Sequence, residues 1–579
     1  MTPEQYSNPP AEMVRRGELR TLQLFLQAAH REGLLPTERF EPKGQELRWS
    51  GDGRVLCARG SVHAHGSRLS LTSPPWLEDE RGREPLDLAG TVRLVAEFAH
   101  AYRPGSPWDA LIDELEEAAR VQAAAYLAAE SRPQPASWAD FEAWTPEGHN
   151  LHPGAKTRQG FTSTDMLAYA PDFSDSIELP WLAVSKTLLG ASGRVPSTFH
   201  LDHETWAVPV HPWQREHILP HVYEAQWSAG LIRDLDREPV KARLSTSLRT
   251  VTPLDESLPI LKLSVGSLMT STERSMSRHT VRQGPVYSEL LGRALDQEPR
   301  WREQVELLEE SGGLFWSDLS DGGTRSRQLS LLFRERPATP TVGVPVPCST
   351  LPQPSPSGTS VMAELFGRGE GALSNLRRYC ELVIPFHVWL FQTWGVALEA
   401  HLQNCLVVWS EDGPERLWLR DWGGLRADIE VLRERAPDLA SQLDPDSVTV
   451  SQGSSACRKL VACLFTNHLT EIVVGVSADA GLAEAEAWAV VGEVSAQALA
   501  PWRSSELARS VLDQPWPVKA LLRMRLGGDG DVYSNLPNPL STQTLARPTF
   551  PCAFPQDLDS FNRLADTWDD DETLRELSS

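Results

Sequence analysis

Apolar side chains recur at three- and four-residue steps from Trp108 to Ala129, where Leu111, Leu115, Ala118, Val121 and Ala125 form one stripe. That spacing predicts a helix with one buried face, and the wider stretch from Met13 to Ala129 reads as mostly helical. The segment SRPQPASWADF, residues 131–141, interrupts the pattern and predicts a boundary. From Phe141 to about Leu332 the apolar runs are shorter and richer in Val, Thr and Trp, as in TWAVPVHPW (205–213) and PILKLSV (259–265). They predict a largely antiparallel sheet with loops and a few helices. Residues 335–360 hold seven prolines in 26 positions, so no helix or central strand can cross them; Val-Gly-Val-Pro-Val within them suits an edge strand. A helical pattern then runs from about Leu376 to Asn404, kinked early at Pro385, with Leu390, Trp394, Ala397 and His401 on one face. CLVVW, the turn SEDGPE and RLWLRDWGG (405–424) alternate as a hairpin. These patterns predict an α+β chain with a mostly helical part at 1–140, an α/β part at 141–360 and a mostly helical part carrying the hairpin at 361–579.

Composition narrows the class. The 579 residues are 41% hydrophobic and 23% charged, the usage of an ordinary globular protein. Lys and Arg number 55 against 78 Asp and Glu, a formal charge of −23 that disfavours nucleic acid as a partner and requires any anionic ligand to meet a local basic site. Seven cysteines at 57, 348, 380, 405, 457, 463 and 552 include no Cys-x-x-Cys pair, which argues against zinc ribbons, iron–sulfur sites and a disulfide framework. The N-terminal residues lack the order of a signal peptide, and no stretch reads as a membrane span, so a cytoplasmic location without a membrane partner is expected.

Candidate chemistry concentrates in three places. Between Lys241 and Arg282, Lys241, Arg243, Arg249, Lys262, Arg274, Arg278 and Arg282 face only Asp255, Glu256 and Glu273, with Ser and Thr interleaved at 245–250 and 270–272. Guanidinium and hydroxyl groups together suit phosphate or carboxylate oxygens, although a solvated basic face has the same composition. The loop Gly148 to Gly160 carries His149, His152, Lys156 and Arg158, which suits either a phosphate contact or a plain polar turn. His211-Pro-Trp-Gln214 reads as a structural loop. Glu399, His401 and Asn404 precede the hairpin and Asp421-Trp-Gly-Gly424 follows it, so Asn404 and Asp421 can converge on one Mg²⁺ as in phosphotransferases, although a capping Asn, a turn Asp and a core His in unrelated places have the same spacing.

With these residues assembled, the chain resembles the IucA/IucC family of nonribosomal-peptide-synthetase-independent siderophore (NIS) synthetases. The resemblance rests on HPGAK (152–156), HPWQ (211–214), SLRT (247–250), Lys262, Thr270 to Arg274, EAHLQN (399–404), RDWGG (420–424) and KALLRMRL (519–526). It implies a cupped hand of thumb, fingers and palm, usually a homodimer. It also implies ATP- and Mg²⁺-dependent condensation of citrate or a related polycarboxylate with a polyamine, hydroxylamine, amino acid or hydroxyl nucleophile, through an acyl-adenylate. By motif, His152, Lys156, Ser247, Arg249, Thr250 and Lys262 are implied at ATP. Thr270, Arg274 and His401 are implied at the carboxylate substrate, and Asn404, Asp421 and Glu399 at the metal. His401, Arg274 and Lys262 are the implied catalytic groups. Leu402 departs from the smaller residue of many members, and the clustered C-terminal cysteines of related ferric-siderophore reductases are not reproduced. A small-molecule kinase and a non-catalytic siderophore- or citrate-binding protein are the competing readings.

Overall fold

The helix Trp108–Glu130 forms as its spacing predicts, and Leu111, Leu115, Ala118, Val121 and Ala125 are all buried. It packs on Ala11–Arg31, closely enough that a Cβ on Gly17 would stand 2.5 Å from the Ala119 carbonyl oxygen. The structure, a computed structural model, describes the chain except residues 37–39, 44, 52, 65–66, 100–104, 270–271, 318–324, 528–531 and 542–579.

The N-terminal part departs from the mostly helical expectation. Between its helices lies an antiparallel six-stranded sheet built from Phe40–Lys43, Glu46–Gly51, Arg54–His63, Arg68–Leu71, Trp76–Asp79 and Gly82–Pro85. Leu47, Trp49, Leu56 and Ala58 recur at period two and bury their faces against Leu22, Phe25 and Leu26 of the first long helix. Leu522 and Leu526, from the late helix Leu521–Gly527, complete this core, so the two ends of the described chain meet.

The middle part is the predicted antiparallel sheet. Its eight strands run in the order Leu189–Gly193, Glu310–Trp316, Leu331–Arg334, Ile260–Leu263, Thr250–Pro253, Ile232–Arg243, Ser176–Ser185 and Thr205–Pro209. Thr250 stands opposite Lys262, and Lys262 opposite Leu332, so Thr250, Lys262 and Arg334 share one face. The alternate residues Val251, Leu261, Leu263, Leu331 and Phe333 fill the core on the other face. His211 is buried and caps its own helix through Nδ1, 3.2 Å from the Trp213 amide, the structural role expected of that loop.

In the last part, the helix Gly369–Trp394 carries Pro385 inside it and stops ten residues before Asn404. Gly395, at φ 66°, closes it in the left-handed conformation that glycine adopts most easily. His401 and Asn404 therefore sit on a turn. The hairpin is present as Cys405–Ser410 and Gly413–Leu419, and the proline-rich segment contributes the edge strand Val344–Pro347 beside it. Among the described residues one helical run, Gly453–Ala480, is long and apolar enough to cross a membrane, which the sequence reading did not anticipate; 72% of its apolar window is buried inside the protein. The six described cysteines are free and buried.

Candidate functional site

One open cleft of about 510 Å³ lies where the middle sheet, the loop at 148–158 and the 399–424 region meet. Nine Lys and Arg line it against three Asp and Glu, a local excess of +6 in a chain of −23. Ser247, Arg249, Thr250, Lys262, Arg274, Glu399, His401, Asn404 and Asp421 all reach it, with Lys156. The convergence expected from the motifs is present for these residues.

Arg249 is held rigidly. Its Nη1 donates to the carbonyl oxygens of Arg274 and Ser275, each at 2.8 Å, after Leu248 turns the chain at φ 53°. Burial and the neighbouring Arg274 push its pKa down to about 10, so it remains charged at neutral pH. Thr250 Oγ1 donates to Ser247 Oγ at 3.2 Å, which leaves a paired hydroxyl edge beside the guanidinium.

Lys262 is buried, and its ammonium donates to Asp421 Oδ1 at 2.6 Å; Arg334 stands 3.8 Å from the other oxygen. Burial works to raise the Asp421 pKa, but Lys262 and Arg334 hold it well below the usual carboxylate range. The backbone fixes this placement: Asp421 is at φ 70°, a rare conformation for a residue with a side chain. Arg420 before it bonds Glu142 and the Gln403 carbonyl, and Trp422 after it donates to Ser288 Oγ at 2.8 Å.

Glu399 lies against Gly424. A Cβ on Gly424 would fall 1.9 Å from Glu399 Oε2, so only glycine leaves that carboxylate its position. Burial raises the Glu399 pKa, yet Lys459, with Nζ at 2.6 Å, acts together with His401 and Lys519 to outweigh it and bring it down to about 2. Asn404 Nδ2 donates to the Glu399 carbonyl at 3.1 Å. Glu399, Asp421 and Asn404 Oδ1 thus offer hard oxygen donors, few enough to leave coordination positions for water and phosphate, as Mg²⁺ prefers. Among the described residues no group of three or more His, Cys, Asp and Glu side chains is arranged to hold a metal ion. His401 accepts from the Gln403 amide at Nδ1, 3.2 Å, so its neutral ring carries the proton on Nε2, 3.9 Å from Glu399 Oε2. Burial holds its pKa below the usual value.

Three expectations fare differently. His152 does not line the cleft: it is buried behind it, with Nδ1 accepting from the Gly154 amide at 2.9 Å and its pKa pushed down to about 3 by burial. His149 of the same loop lines the cleft instead. Lys156 reaches the wall, but its ammonium is occupied by Asp172 at 2.6 Å and the Thr145 carbonyl at 2.5 Å. It secures the loop from within. Thr270 lies outside the described residues. The sequence reading passed over Arg327, Arg334 and Lys459; the last two hold Asp421 and Glu399. Arg334 ends the run LLFR and Lys459 closes an ordinary amphipathic helix, so neither carried a local signal. Lys519, within the quoted KALLRMRL, also lines the cleft.

The chain is a mixed α+β fold with a polar, cationic cleft between its parts, a lining suited to anionic ligands. Residues 137–353 match the IucA / IucC family and residues 376–534 match the ferric iron reductase FhuF-like transporter family. Staphyloferrin A synthase of Staphylococcus aureus (strain NCTC 8325 / PS 47) is 27% identical over 435 residues, spanning 69% of this chain and 72% of that protein. Aerobactin synthase of Escherichia coli is 25% identical, over 56% of this chain and 61% of its own length. The petrobactin biosynthesis protein AsbB of Bacillus anthracis str. Sterne superposes with a TM-score of 0.80 at 20% identity, covering 92% of this chain and 96% of that one. ATP-bound aerobactin synthetase IucA of Klebsiella pneumoniae gives 0.78 at 21%, covering 90% and 100%. The resemblance read from the sequence is borne out, and the fold is that of the NIS synthetases.

Proposed function

We propose that the protein is an ATP-dependent siderophore synthetase that adenylates a carboxylate of citrate or a related polycarboxylate and joins it to an amine or hydroxyl nucleophile. The observation that carries this reading is the meeting of Arg249, Lys262 and Arg274 with Glu399, His401, Asn404 and Asp421 in one cationic cleft. The names of the relatives, staphyloferrin A synthase and D-ornithine–citrate ligase among them, point to the same substrate class.

A carboxylate has a poor leaving group, so activation precedes condensation. A citrate oxygen attacks the α-phosphorus of ATP; that O–P bond forms as the bond to pyrophosphate breaks. The amine then attacks the acyl carbon, forming C–N and expelling AMP. Arg249 and Lys262 are suited to hold phosphate oxygens, with Ser247 and Thr250 as hydroxyl donors, and Arg274 to grip a carboxylate in a fork. His401 is placed to orient a carboxylate or take the amine proton. Asn404, Asp421 and Glu399 would hold Mg²⁺, which supplies charge neutralisation at the phosphates when bound. Lys262 would then exchange part of its contact with Asp421 for phosphate. The resemblance extends to a homodimer, which sedimentation of the purified chain tests.

The reaction is tested by crossing di- and tricarboxylates with polyamines, hydroxylamines and amino acids, reading AMP release and product mass. A citrate-dependent amide or ester with one AMP per bond supports the reading. ADP instead of AMP would make the protein a kinase, and tight citrate binding with no ATP consumption would make it a binding protein.

A further inference from the structure

The turn that carries Glu399, His401 and Asn404 belongs to no helix or sheet, so its position depends on what its carbonyls bond. The Glu399 oxygen accepts from the His401 amide at 2.8 Å, Leu402 O from the Ser349 amide at 3.0 Å, and Gln403 O from Arg420 Nε at 3.0 Å. The His401 oxygen accepts from the Asn404 amide at 3.1 Å, and the Ala400 oxygen accepts from a side chain of another element, Nδ1 of His468, at 3.0 Å.

His468 is fully buried on the run Val461–Leu469, which is wound as a π-helix, a geometry frequent beside functional sites. Its other nitrogen, Nε2, lies 2.5 Å from Tyr379 Oη, which in turn lies 3.1 Å from Cys348 Sγ. One proton assignment satisfies every member: Cys348 S–H donates to the Tyr379 oxygen, Tyr379 O–H to Nε2, and Nδ1–H to the Ala400 carbonyl. Burial keeps the ring neutral, with its pKa pushed down to about 3, so this single tautomer persists at working pH.

We propose that His468 is a positioning residue: its Nδ1–H, oriented by Tyr379, pins the Ala400 carbonyl and so fixes Glu399 on one side and His401 on the other. The inference rests on the function proposed above and adds a residue that touches neither substrate nor metal. A displacement of about 1 Å at such a turn is enough to lower a rate ~100-fold.

The test compares His468→Asn, whose amide nitrogen takes the place of Nδ1, with His468→Gln, whose amide reaches the Tyr379 side and loses the Ala400 bond. His468→Leu removes both. The expected result is a fall of at least ~10-fold in kcat for citrate-dependent AMP release in the Gln variant, recovery to within ~3-fold in the Asn variant, and similar melting temperatures for the two. Equal activity in Asn and Gln, or activity that simply follows melting temperature, would overturn the proposal. Should the wild type show no citrate-dependent AMP release, the functional reading fails on its own, and crystal structures of the same pair decide the positioning claim. A turn at 399–404 shifted in Gln but not in Asn supports it; an unshifted turn in Gln overturns it.

Discussion

Arg274 shows how much of the account turns on side-chain shape as well as charge. Its carbonyl anchors Arg249, and its guanidinium enters the cleft within reach of the fields of Glu399 and Asp421. A lysine would keep the charge but lose the fork, so Arg274→Lys should impair citrate-dependent turnover nearly as much as Arg274→Ala. The expected loss of ~1.5 to 3 kcal/mol corresponds to roughly 10- to 150-fold in kcat/KM. A lysine variant with wild-type turnover would remove the assignment. Glu399 carries a pH consequence. Its folded pKa of about 2 lies below the unfolded carboxylate value of about 4.3, so the stability it contributes is complete above about pH 4.3 and lost as pH falls toward 2. Lys459→Met withdraws the partner that lowers this pKa, and acid unfolding followed by circular dichroism should begin at higher pH in that variant. An unchanged acid limb would contradict the pairing. The exchange of His152 for His149 has an equally local cause. Both occupy one short loop, and composition alone does not say which imidazole the loop turns inward.

Elements explain which parts of the site were legible beforehand. The hairpin was readable because two short apolar runs, CLVVW and RLWL, flank an Asp-Gly-Pro turn, and it brings Asn404 and Asp421 to neighbouring ends of its two strands. The preceding helix was overrun because Leu390, Trp394, Ala397 and His401 continue its spacing past Gly395, whose left-handed conformation ends it. The N-terminal sheet was missed because two strongly periodic helices flank it, although Leu47, Trp49, Leu56 and Ala58 carry its period-two signal. The same hairpin supplies a test that separates fold from function. In Gly424→Ala the atoms nearest the new methyl are those of the flexible end of Glu399, so the melting temperature should change little. The carboxylate must move, and the citrate-dependent AMP release proposed above should fall at least ~10-fold, as expected when a preorganised group is displaced. A fully active variant would show that the Glu399 position is immaterial.

At the scale of the molecule, a chain of −23 folds so that a +6 lining gathers where its parts meet, which suits an anionic ligand without making the surface basic. No single segment could show this. The basic stretch at 241–282, the loop at 148–160 and the acidic turn at 399–424 are each ordinary in sequence, and the fold makes them one site. The family motifs made that convergence readable in advance, while the supporting ion pairs of Lys459 and Arg334 came only with the packing. The central claim is adenylation within this cleft, and the direct measurement is citrate-dependent exchange of labelled pyrophosphate into ATP with no nucleophile present. The account expects exchange that requires citrate or a close polycarboxylate and collapses in Arg274→Ala. Label entering ATP equally without any polycarboxylate, or no exchange across the carboxylate panel while ADP accumulates, would contradict it.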